Sequence, residues 1–223
     1  MEWRDAQRMA ARAMSAILAA HHVEHAFIGG FAVQTLGGKR HTEDIDIEID
    51  INDRESASRH QIVQHLITAD SRFFLQGTKL FFTPAEAPEH SIPIETLPIG
   101  SLGLPPTLDI IRLGDGDDQI PILRPSVLVL TKIKRCIHFI GSTRPKSRRK
   151  LEHDLLDIRY LLLYLVKQGE KINFASYSSP NPERLYKAVG DLFQYYRSEG
   201  PDDMADTLLS VLEDSDRAKI DSI

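Results

Sequence analysis

Apolar residues recur along this chain in two rhythms, and the change of rhythm divides it. Over residues 4–21, Met9, Ala13, Ala16, Ile17 and Ala20 fall three or four positions apart, which predicts an amphipathic helix. His25 to Ile28 is a short strand candidate stopped by Gly29-Gly30, and Phe31 to Leu36 suits a short helix ended by Gly37-Gly38. Asp44 to Ile51 alternates strictly between acid and isoleucine and predicts a strand. Helical spacing returns over Arg54 to Ala69 through Ile62, Val63, Leu66 and Ile67. Strand-like runs follow at Arg72 to Leu75, Lys79 to Thr83, Ser91 to Leu97 and Leu108 to Leu113, with a loop over Gly114 to Asp118.

From Pro125 the rhythm is helical throughout. Pro125 suits the first turn of a helix reaching about Ile140. Leu151, Leu155, Ile158, Leu162 and Leu165 repeat at the stagger of one helix face. Glu183 to Arg197 and Asp202 to Leu212 predict two more helices, and the polar residues from about Asp214 predict a frayed end. The fold class is therefore α+β: a mixed β-sheet with flanking helices over residues 1–123, then a helical region over 124–223.

Composition narrows the chemistry. Of 223 residues 42% are apolar and 26% charged, ordinary for a packed protein. The net charge of −5 argues against a general nucleic-acid coat, but the charges are sorted. Residues 43–53 hold six acids and no base, whereas residues 119–151 hold nine Lys or Arg and no acid. Cys136 is the single cysteine, which excludes an intrachain disulfide and a cysteine zinc site. No apolar leader opens the chain, and Leu155 to Val166 is too short and too charged for a membrane span. A cytoplasmic protein without a membrane partner is the expectation.

The alternation at residues 44–51 places Asp44, Asp46, Glu48 and Asp50 on one face and Ile45, Ile47, Ile49 and Ile51 on the other. A solvated sheet face explains such a pattern. Asp is nevertheless a poor strand former, and like charges on one face repel. A divalent cation bound by hard oxygen ligands removes that repulsion, and magnesium or manganese is the matching ion. Gly29-Gly30 reads either as a tight turn or as a place where backbone N–H groups meet a phosphate at a helix start. Other candidates are weaker: His21, His22 and His25 lack acidic partners, Asp115-Gly116-Asp117-Asp118 lacks the later residues of a calcium loop, and no Ser-His-Asp pattern stands out.

Gly29, Gly30 and Ala32, followed by Arg40, Thr42, Asp44 and Asp46, resemble the signature of the polymerase-beta-like nucleotidyltransferase superfamily, in particular its minimal and toxin-type members. The resemblance spans residues 24 to about 165, through Ile122 to Lys132 and Arg149 to Leu162, and is densest over 28–48. It implies two Asp on one strand, a third carboxylate on a neighbouring strand, and divalent metal bound among them. Glu95 is the choice for that third position, one methylene longer than the usual Asp, and Asp109 is the fallback.

What the resemblance implies is a transferase that moves a nucleoside monophosphate from a nucleoside triphosphate such as ATP to an acceptor hydroxyl, releasing pyrophosphate. Asp44, Asp46 and Glu95 are then catalytic and hold Mg2+ or Mn2+, while Gly29, Gly30, Arg40, Thr42 and Lys132 hold the triphosphate. Arg144, Lys146, Arg148, Arg149 and Lys150 form a basic loop that suits an acceptor or phosphates, or only a solvated face. The acceptor is open between a small molecule, a protein side chain and an RNA end, and the oligomeric state is unread. The rival reading, kept alive by the Glu at the third position, is an inactive relative that binds nucleotide or acts as an antitoxin-like partner module.

Overall fold

The structure, a computed structural model, describes residues 1–51, 58–179, 181–201 and 203–222, with Asp117 by its backbone alone. The chain divides into two compact units, one of Met1–Leu102 with Ile110–Leu123 and one of Gly103–Asp109 with Arg124–Ile223. The first unit opens with helix α1 (Trp3–Ala20), strand β1 (His25–Ile28), helix α2 (Gly29–Thr35) and strand β2 (Ile45–Ile49). Helix α3 (Arg59–Ala69) follows, then β3 (Phe73–Gln76), β4 (Lys79–Phe82), β5 (Ile92–Pro98), β6 (Ile110–Leu113) and β7 (Ile120–Leu123).

Among the described residues these strands form one mixed sheet in the order β3-β4-β5-β2-β1-β7-β6. β2 runs antiparallel to β1 and parallel to β5, so the acidic strand lies at the centre. A central strand has its backbone groups paired on both sides, which holds its side chains at defined heights. Ile45, Ile47 and Ile49 are all buried, each stabilising the fold by roughly 1.5–3 kcal/mol. α1 packs on α3 and on strands β1, β5 and β7.

Three expectations change in this unit. α1 exists where predicted, but its buried face is Ala6, Gln7, Ala10, Ala11, Met14, Ser15 and Leu18 rather than the Met9–Ala13–Ile17 stripe. The small alanines let the helix approach closely while Met14 and Leu18 fill the core. β7 occupies a stretch for which the pattern predicts no element, since Pro121 interrupts the β rhythm. α3 starts at a capping box of Ser58 and Gln61 rather than at Arg54, and residues 54–57 lie outside the described residues.

The second unit holds α4 (Pro125–Cys136), α5 (Pro145–Gln168), α6 (Pro182–Ser198), α7 (Met204–Ser210) and α8 (Asp214–Asp221). α4 packs on α5 and α6, and α6 on α7 and α8. Position 202, where the last predicted helix was to begin, is outside the described residues. The polar end is not frayed: α8 is tied to α6 by a hydrogen bond from the Tyr186 hydroxyl to Asp216 Oδ1 at 2.9 Å. No helix of the described residues is long and apolar enough to cross a membrane.

Candidate active site

β5, β2 and β1 lie side by side, and their register brings the predicted residues together. Asp46 pairs with Ile28, the last residue of β1, and on its other side with Glu95 of β5. Register partners on adjacent strands project to the same face about 4.8 Å apart, so Asp46 and Glu95 are direct neighbours. Asp46 is half-buried and Glu95 exposed. Asp44 stands in the bend just before β2, exposed, and the buried Thr42 donates its hydroxyl to Asp44 Oδ1 at 3.1 Å.

The glycine pair belongs to the same arrangement. Gly29 has φ 67°, a backbone state costly for other residues, and it is the first residue of α2 rather than part of a turn before it. A β-carbon on Gly29 would collide with the Asp46 carboxylate, and one on Gly30 with the Arg40 guanidinium and the Thr42 hydroxyl. The missing side chains thus let three candidate site residues lie directly against the backbone that links β1 to α2. Arg40 also donates to the His41 carbonyl at 2.9 Å.

Asp44, Asp46 and Glu95 are carboxylates only, and their chemistry fits a hard divalent cation such as magnesium or manganese. The close approach of Asp46 to Gly29 supports that fit, because it leaves no room for a side chain beside the donor. Among the described residues, however, no group of three His, Cys, Asp or Glu stands close enough to form a metal cage by itself.

A sequence profile of the nucleotidyl transferase AbiEii toxin family, of type IV TA systems, matches residues 12–176. The chain belongs to this family. It is a nucleotidyltransferase, and the family implies a nucleotide substrate and an acceptor. A crystal structure of an antigenic nucleotidyltransferase-like protein from Paracoccidioides brasiliensis matches with TM-score 0.72 and 18% identity, over 95% of each chain. The antibiotic-resistance factor ANT(2'')-Ia aligns with TM-score 0.41 and 10% identity, over 76% of this chain and 95% of that one. No curated protein matches the chain by sequence.

Lys132, Asp109 and the basic loop of this nucleotidyltransferase belong to the helical unit. Lys132, expected to reach a triphosphate, is only 2% exposed, with Nζ 2.7 Å from Asp157 Oδ2 and 3.8 Å from Asp154 Oδ1. Asp154 is also held by Arg135, which donates from Nε at 2.8 Å. Burial of this charge is tolerable only with such partners, and in the structure Lys132 forms a buried ion pair between α4 and α5. Asp109, the fallback carboxylate, is bound by Arg124 Nε at 2.8 Å within the helical unit. Arg144, Lys146, Arg148, Arg149 and Lys150 are exposed around the start of α5. His25 sits inside β1, hydrogen-bonded to the Val23 carbonyl and Ser15, and burial lowers its pKa.

Two buried polar residues near the site escaped the sequence. Glu48, on the acidic face of the alternation, is fully buried, and among the described residues neither carboxylate oxygen has a hydrogen-bond partner. Burial pushes its pKa up to about 7; the nearby Gly100 amide opposes this without reaching full hydrogen-bonding geometry. The second feature is Gln7, fully buried on α1 yet bonded to the loop before β2. A polar residue on the inner face of an amphipathic helix was the available signal, hidden because the predicted face was rotated.

Proposed function

We propose that this nucleotidyltransferase transfers a nucleoside monophosphate from a nucleoside triphosphate to an acceptor hydroxyl in a reaction that depends on a divalent metal. The observation that carries the reading is the register of Asp46 with Glu95 on parallel strands, beside the glycines that open α2. Asp44, Asp46 and Glu95 would hold Mg2+ or Mn2+. When bound, the ion neutralises triphosphate charge and makes the acceptor hydroxyl more acidic.

The chain's own residues supply position and charge. Thr42 orients the Asp44 carboxylate through its hydroxyl. Arg40, lying against Gly30, places a guanidinium where the phosphates of a triphosphate would be met at the glycines that open α2. Glu95, exposed on β5, accepts the proton of the acceptor hydroxyl on its carboxylate. The acceptor oxygen bonds to the α-phosphorus, the bond from that phosphorus to the bridging oxygen breaks, and pyrophosphate leaves. Most of the rate then comes from positioning and charge compensation, as phosphoryl transfer allows.

The test is calorimetric titration with magnesium and each nucleoside triphosphate, followed by a pyrophosphate-release assay across acceptor classes. Magnesium-dependent release that disappears in Asp44→Asn and Asp46→Asn is expected. Retained turnover in either variant overturns the metal assignment, and nucleotide binding without release from any acceptor overturns the transfer reaction.

A further inference from the structure

The loop that carries Arg40, Thr42 and Asp44 is held by one end of α1. Arg4 donates from Nη2 to the Lys39 carbonyl at 2.7 Å. Trp3 Nε1 and Gln7 Nε2 both donate to the Thr42 carbonyl, each at 3.2 Å, and Gln7 Nε2 makes a longer contact to the Asp44 carbonyl at 3.4 Å. Trp3 and Gln7 are four residues apart on one helix face, so the two lone pairs of a single carbonyl are met by successive turns. The Trp3 ring is further flanked by His41 and His90, at centroid separations of 6.2 and 5.3 Å.

Gln7 is the pivot of this arrangement, and its orientation is dictated. Its Oε1 accepts from Gln34 Nε2 of α2 at 2.8 Å, which leaves only the amide nitrogen to face the loop. Both loop partners are carbonyls, which accept and cannot donate, so the reverse orientation would abolish both loop bonds at once. Gln34 is left with a buried Oε1 that has no partner among the described residues. An unsatisfied buried acceptor is costly, and its persistence here means that fixing Gln7 is favoured over satisfying Gln34. Gln34 lies on the helix that begins with Gly29 and Gly30. One buried amide therefore joins α1, the glycine helix and the backbone of Asp44.

We infer that Gln7 is a positioning residue for the metal-binding loop, with Trp3 as its partner, and that the first two turns of α1 are part of the catalytic apparatus although they precede residues 12–176, the span matched by the family profile. The inference rests on the proposed reading of Asp44 as a metal ligand. Neither Gln7 nor Trp3 touches the reacting groups; they act through the backbone of residues 42–44. Partners that orient a ligand typically govern metal affinity by ten- to a hundredfold.

Gln7→Met keeps the length and apolar stem of the side chain but has no donor, and Trp3→Phe keeps a ring without its N–H. In the full chain, each variant is compared with wild type by hydrogen exchange of the peptide spanning residues 39–46 and by calorimetric titration of manganese. Faster exchange confined to that peptide, with manganese binding weakened about tenfold or more in Gln7→Met, is expected. In turnover, the magnesium concentration for half-maximal rate should rise while the rate at saturating magnesium stays near wild type, a split that general destabilisation does not produce. Unchanged exchange over 39–46 in both variants overturns the brace, whether or not the wild type binds metal. A wild type that binds no manganese, with loop exchange still accelerated in the variants, keeps the brace and overturns the metal role assigned to the loop. If Gln7→Met does not fold, Trp3→Phe decides alone by the same two measurements.

Discussion

Asp46 on β2 and Glu95 on β5 are direct partners across a pair of parallel strands, whereas Asp109 is held by Arg124 2.8 Å away in the helical unit. The two candidate third carboxylates therefore carry opposite expectations. Glu95→Gln should lower the turnover rate on the order of a hundredfold or more, the scale of losing one group that acts on developing charge, with little change in melting temperature. Asp109→Asn should leave turnover near wild type and cost about 1 kcal/mol of stability or less, since its ion pair is partly exposed. Steady-state kinetics beside thermal unfolding of both variants separates them, and the reverse pattern would exchange their roles.

Gly29→Ala is expected to damage both stability and activity. A residue with a β-carbon at φ 67° carries a strain of roughly 1–2 kcal/mol, and the added methyl displaces the Asp46 carboxylate. Gly77, at φ 64° and with open space around it, is the control: alanine there meets only the backbone strain. Urea unfolding should place the two variants within about 1–2 kcal/mol of each other, while only Gly29→Ala loses metal-dependent turnover. Equal activities would remove the glycine from the site.

Glu48 predicts an uncommon pH dependence of stability. Its folded pKa is raised to about 7 by burial, above the ordinary carboxylate value of 4.5. The folded chain thus binds a proton more tightly than the unfolded chain. Stability from this group is complete below about pH 4.5 and declines as pH rises towards 7, by roughly 3 kcal/mol in total. Glu48→Gln cannot ionise, so its stability should rise relative to wild type across that window. Denaturant titrations of the metal-free protein at pH 5 and pH 8 measure the difference; parallel wild-type and variant curves would refute it.

Lys132→Met should be severely destabilising, by about 3–5 kcal/mol, because it leaves Asp157 and Asp154 buried with Arg135 as the remaining cation near Asp154. Combining it with Asp157→Leu should recover much of the loss, since replacing both members of a buried pair by apolar groups is often neutral. Were Lys132 a triphosphate ligand instead, the double variant would regain stability yet keep a raised KM for nucleotide. Melting temperatures and nucleotide KM values for the single and double variants distinguish the two.

The sequence by itself determined most of the local elements and singled out the candidate site residues. Alternation at Asp44–Ile51, the glycine pair and the helical stagger after Pro125 are patterns of one or two turns of chain, set by local periodicity and by the backbone freedom of glycine. Tertiary structure decided what neighbouring charges do. Asp46 and Glu95 are far apart in the chain, and only strand register makes them neighbours. Lys132 and Glu48 carry the same residue types as solvated side chains, yet helix packing gives one an internal acid and the centre of a sheet leaves the other unpartnered. The face of α1 was also invisible locally, because a run rich in alanine offers several nearly equivalent apolar stripes. Which stripe turned inward depended on the sheet and on α3, and it was that choice that buried Gln7 beside the loop of Asp44.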